Sequence, residues 1–236
     1  MNDRGCGLPV LALLRQQSWL SPAFPTGAYA YSHGLEWAVE VGEVRDRSSL
    51  VDWLEADLCH GSGRNEGIFF GEAWRFAFED DRSRLLDVAE RAAVFRGTSE
   101  LALESSQQGS ACLTTIRRVW PDSTLDWLSE ALSERRLPAA LAVVLGVRSA
   151  REGIPVRLAL AAFLQSYLAS QVNAGVRLVP LGQTDGQLAI AELERAVLRM
   201  SAEAENTTLE DLGSAAIMVD LSSMAHEAQY TRLFRS

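Results

Sequence analysis

The side chains best suited to hold a metal or carry a nucleophile are three histidines, His33, His60 and His226, and three cysteines, Cys6, Cys59 and Cys112. A metallohydrolase places such ligands at one-turn spacing, as in His-Glu-x-x-His, whereas these histidines stand apart in sequence. Cys59-His60 is the nearest thing to a pair. Adjacent helical residues point about 100° apart, so the two make a poor chelate and read as structural or incidental. His226-Glu227 offers a base and an orienting carboxylate, yet helix neighbours diverge and no nucleophile motif accompanies them. Gly-x-Ser-x-Gly is missing, and His60-Gly61-Ser62-Gly63 reads as a helix end and turn. All 22 basic residues are arginine. Schiff-base chemistry and a Walker-type loop both need lysine, so Gly182-Gln183-Thr184-Asp185-Gly186-Gln187 reads as a helix cap rather than a nucleotide site. We expect no catalytic residues, no bound cofactor and no metal ligand set.

The formal charge of −9 argues against nucleic-acid binding, because phosphate backbones select basic surfaces. Protein surfaces are the expected partners. The odd, widely spaced cysteines read as reduced thiols in a cytoplasmic protein. Residues 8–14 are apolar but include Pro9 and run into Arg15-Gln16-Gln17, so a signal peptide is not expected. Residues 154–179 are interrupted by Arg157, Gln165, Gln171, Asn173 and Arg177, which rules out a bilayer span there.

The elements that must position these groups are helical throughout. Apolar residues recur at helical period, and no useful alternating stretch occurs. One helix is predicted over residues 9–19, then a stiff turn through Pro22, Pro25 and Gly27, then a helix from about Ala28 to Gly42. Starts are predicted from Ser49 with Asp52, Ser123 with Asp126, Thr184 with Gln187 and Thr207 with Glu210. Stops are predicted near Gly97, Pro121, Pro138, Gly153 and Pro180. The segment from Pro155 to Leu178 is apolar on several faces and should be central. The segment with Leu85, Leu86, Ala89, Ala93 and Phe95 has a wet face and should be peripheral. The expectation is one all-α, bundle-like domain of about ten helices over residues 1–236, with 1–7 flexible.

Residues 222–236 form a distinct tail. Arg232 and Arg235 stand against Glu227 alone, a formal +1 that leaves −10 for the rest. If helical, the tail puts Tyr230, Leu233 and Phe234 on one face, an amphipathic groove-binding segment. The competing reading is a helix packed on its own core; the terminal position tilts the choice towards a mobile tail ordered by a partner.

Three separated blocks resemble the UreF family, accessory proteins needed to load nickel into urease. The first is Pro25-Thr26-Gly27-Ala28-Tyr29-Ala30-Tyr31-Ser32-His33-Gly34-Leu35-Glu36, followed by Trp37-Ala38-Val39-Glu40, with histidine at 33 where the family usually has glutamine. The second is Val176-Arg177-Leu178-Val179-Pro180-Leu181-Gly182-Gln183. The third is His226-Glu227-Ala228-Gln229-Tyr230-Thr231-Arg232-Leu233-Phe234-Arg235-Ser236, preceded by Ala225 in place of the family's common arginine. Glu100, Glu104, Ser105, Gln107 and Gly109 are similar to the family's middle segment.

The resemblance implies an all-α homodimer without catalysis of its own. It would bind the accessory protein UreD, also called UreH, and through it recruit the nickel-carrying GTPase UreG and the urease apoprotein. On that footing Tyr230, Arg232, Leu233, Phe234 and Arg235 would be ordered against UreD/UreH, and Glu36 and Arg177 are candidates for the UreG-facing surface. Their plain alternative is a solvated charge or an internal ion pair. Two other readings stay open: a GTPase activator using Arg177 or Glu36, and a nickel store using His33, His60 or Cys59.

Overall fold

A computed structural model describes residues 10–235 of the chain. The expectation for residues 1–7, together with Cys6, falls outside the described residues. Every regular element among the described residues is helical, giving eleven α-helices and two short 3-10 turns. In order these are α1 (Val10–Trp19), α2 (Leu35–Glu40), α3 (Arg47–His60), α4 (Ser62–Phe78), α5 (Arg82–Val94) and α6 (Ser99–Val119). There follow α7 (Ser123–Arg135), α8 (Leu141–Arg151), α9 (Val156–Leu178), α10 (Gln183–Ala204) and α11 (Ile217–His226).

Helix ends follow local chemistry. α5, α6, α7, α8 and α9 stop two or three residues before Gly97, Pro121, Pro138, Gly153 and Pro180 respectively, as punctuation by glycine and proline dictates. The predicted starts need correction, because the capping side chain lies elsewhere in each case. Asp46 caps α3 by accepting from the Ser49 N–H at 2.8 Å, and Ser49 accepts in return from the Asp46 N–H. Asp122 caps α7, accepting from the Thr124 and Leu125 amides. Gly182 precedes α10, with Asp185 accepting its N–H, and Thr208 caps the 3-10 turn Leu209–Asp211. An acidic or small residue upstream outcompeted the hydroxyl chosen from sequence at three of the four sites.

The helix predicted from Ala28 to Gly42 is two pieces. A 3-10 turn, Ala28–Ala30, is separated from α2 by residues 31–34, where His33 (φ 55°) and Gly34 (φ 77°) both take left-handed conformations. No helix passes through two such residues.

The core is centred on α4, α8 and α9. α9 touches α2, α3, α4, α8 and α10, in keeping with its apolar faces. α8 is more enclosed still: Ala142 through Ala150 are buried without interruption. α4 and α8 form the most extensive helix pair, and Gly146 is what permits it. A Cβ there would stand 2.5 Å from the Phe70 carbonyl oxygen of α4. α5 lies at the periphery, its buried face being Leu85, Val88, Ala89 and Ala92 rather than one reaching to Phe95. Among the described residues no helix is long and apolar enough to cross a membrane.

Candidate functional site

The carboxyl tail closes over the junction of α2, α6, α9 and α11. α11 ends at His226, after which residues 227–235 are not helical, correcting the amphipathic tail helix. Tyr230, Leu233 and Phe234 therefore do not share a face. Tyr230 is fully exposed, Leu233 is exposed, and Phe234 is buried. In place of a helix, the tail satisfies its backbone on a carboxylate: Glu36 Oε1 accepts from the Leu233 N–H at 2.6 Å, and Oε2 accepts from the Phe234 N–H at 2.9 Å. The Arg235 N–H donates to the Ala30 carbonyl at 2.8 Å.

Side chains complete the clamp. The Arg177 guanidinium lies 4.4 Å from the Phe234 ring centroid and donates to the Tyr29 carbonyl at 2.9 Å. Arg232 meets Glu100 at 2.6 Å, and Gln229 donates to Glu40. His226, wholly enclosed, has Nδ1 2.6 Å from Glu100 and Nε2 3.2 Å from Glu36. Its neighbour Glu227 turns away to accept from the Ser99 N–H and hydroxyl, both at 2.8 Å. The Ser99 hydroxyl and backbone hold the Glu227 carboxyl below the ordinary carboxylate range. The two residues do not form a base–orienter pair.

The structure thus brings Glu36 and Arg177 together, one on the backbone and one on the ring of the same tail residue. Glu36 is only 8% exposed. As the tail lies, its carboxylate faces the chain's own residues, whereas Arg177 remains exposed. Sequence reasoning placed Glu100 and Glu40 in family-like segments but gave neither a role. A carboxylate at 100, within an otherwise partly apolar helix face, was the signal available.

A second polar cluster lies behind segment 31–36. His33 Nε2 is 2.6 Å from Glu104 and Nδ1 is 3.0 Å from the Tyr167 hydroxyl, which donates to Asp57 at 2.6 Å. Asp57 also accepts from the Ser62 amide and hydroxyl at the start of α4. Burial lowers the affinity of His33 for its proton, but the Glu104 charge and hydrogen bond together with the Asp57 and Glu66 charges outweigh it, and the net shift is upward. Burial and the nearby Asp57 charge push the Tyr167 hydroxyl well above its usual range. His33, Ser62, Glu104 and Tyr167 line a cavity of about 1000 Å³, whose walls also include Trp19, Gln171 and Met224. The Trp19 Nε1 and Gln171 Oε1 atoms there have no partner among the described residues, which suits bound water.

No group of three or more His, Cys, Asp or Glu side chains able to hold a metal ion occurs among the described residues. Both ring nitrogens of His33 are engaged, His60 is exposed, and Cys59 is buried with an Arg199 guanidinium nitrogen 3.1 Å from its sulfur. Burial pushes the Cys112 thiol up, leaving it inert.

The sequence model of the UreF family matches residues 44–194. Proteins named urease accessory protein UreF are similar over 95% of this chain. One from Rhodopseudomonas palustris strain BisB5 is 46% identical, with 91% of its own length covered. One from Granulibacter bethesdensis is 47% identical, with 94% covered. One from Bradyrhizobium diazoefficiens is 43% identical, with 92% covered. With the family's model spanning more than half of the chain and relatives aligned over nearly all of it, the chain belongs to the UreF family of urease accessory proteins.

Proposed function

We propose that this protein is a non-catalytic, cytoplasmic adaptor of urease maturation that works as a homodimer. It bridges UreD/UreH and the GTPase UreG, and so serves nickel insertion into the urease apoprotein. The observation that carries the reading is the docked tail, which fixes Phe234 inward while turning Tyr230, Leu233 and Arg235 outward. An adaptor needs such a surface, ordered in advance, because preorganisation lowers the entropic cost of binding. Holding two partners on one body also raises their effective concentration for each other.

The test is a pull-down with UreD/UreH after deletion of Tyr230 to Ser236, which is expected to lose binding. Retention at full strength removes the tail from the interface. Exposure of Arg177 favours examining the activator reading alongside it. UreG turnover, measured per assembled complex so that any weakening of the tail clamp at Phe234 is factored out, should be unchanged by Arg177→Ala if the protein only bridges, and should fall by orders of magnitude if that arginine enters the nucleotide site.

A further inference from the structure

Seven residues, 30–36, join the two polar clusters. On one side they hold the tail: Ala30 accepts from the Arg235 N–H, the Tyr31 hydroxyl interacts with the Arg235 side chain, and Glu36 accepts from two consecutive amides. On the other side they are anchored by the Tyr31 hydroxyl, which donates to Gln107 of α6 at 2.5 Å, and by His33, in a left-handed conformation uncommon for a residue with a Cβ. Next to it, Gly34 packs so closely on α11 that a Cβ would lie 2.5 Å from the Ser223 nitrogen. The segment therefore has no slack. Three residues along the chain from His33, Glu36 holds the two tail amides.

The charged and titratable groups facing His33 come from four helices: Glu104 of α6, Tyr167 of α9, Asp57 of α3 and Glu66 of α4, the last paired with Arg96 at 2.9 Å. Three of the four are carboxylates, so the imidazolium is the form this environment holds best.

We propose that His33 is a proton-dependent tether for the carboxyl tail: protonated, it fixes segment 30–36 and keeps the tail closed, and on losing its proton it lets both loosen. A neutral ring carries one N–H, so it cannot donate to both Glu104 and Tyr167, and it removes the cation facing Glu104 in a buried setting. The His33 proton is held more tightly in the folded protein than in a free histidine. Its contribution is therefore complete below the ordinary histidine range and is lost as pH rises through the higher folded value. This deepens the adaptor reading, since it names what controls presentation of the tail.

The test uses the full chain without partners, so its failure leaves the pull-down result untouched. Hydrogen-exchange protection of the Leu233 and Phe234 amides, corrected for intrinsic exchange, is measured from about pH 6 to about pH 9. Wild type should lose protection about five-fold or more over this range, while amides in α9 stay constant. His33→Gln, which keeps an amide donor for Glu104 without a titratable proton, should flatten the profile. Constant protection in wild type, or the same decline in His33→Gln, overturns the proposal. Should His33→Gln also lose protection in α9, Glu104→Gln is judged by the same two outcomes.

Discussion

The seam between α4 and α8 and the clamp on the carboxyl tail are both buried, but they are held by opposite means. The seam is apolar and close-packed, with backbone approaching backbone at Gly146. The clamp rests on carboxylates: Glu36 on two amides, Glu100 on Arg232 and His226, Glu40 on Gln229, with one aromatic ring under one guanidinium. Contacts of the first kind have no substitute in water. Those of the second kind have counterparts in water, so each contributes a modest net amount.

Four substitutions sharpen that contrast. Gly146→Ala should cost about 1–3 kcal/mol or more of global stability in urea unfolding, because the Phe70 carbonyl has nowhere to retreat. Phe234→Ala should remove about 1.5–3 kcal/mol of apolar burial from tail docking alone. Exchange of the Leu233 amide would reveal that loss while the urea midpoint stays near wild type; a large fall in the midpoint would make the tail part of the core. Glu36→Gln keeps one acceptor oxygen but sets an NH2 against the other tail amide, and should weaken docking by about 1–3 kcal/mol, visible in the same amides. Smallest is the Glu227 contact with Ser99. A depressed folded value means its contribution is present above the ordinary glutamate range and disappears as pH falls through that value. The carboxyl's titration midpoint, followed by NMR, should return towards the usual range in Ser99→Ala.

The helical fold was legible because its signals are local: apolar period for α9, glycine and proline for five stops. The centrality of α8 was less so, since Ala142 to Val147 is short and apolar all round, which marks burial without saying against what. Caps were misread because aspartate and serine at neighbouring positions compete for the same amides, and geometry decides between them. For the site, the residues were found and their arrangement was not. Tyr230, Leu233 and Phe234 have helical spacing, but period describes a segment only if its backbone bonds stay within it, and here they go to Glu36 and Ala30. Asp57 and Tyr167 escaped notice altogether. Each sits beside buried leucines on its helix, Leu54 and Leu58 for one, Leu164 and Leu168 for the other, and their meeting depends on how α3 packs on α9.

The fit of Gly34 against α11 also bears on how this sequence can drift. A left-handed backbone and a Ser223 main chain within contact range together bar every side chain, so a randomised codon at position 34 should return glycine alone from any selection for a functional product. Neighbouring Tyr29, whose ring is exposed, is free to vary by the same criterion. Tolerance and intolerance would thus alternate within a few codons, a pattern set by main-chain clearance instead of by chemistry.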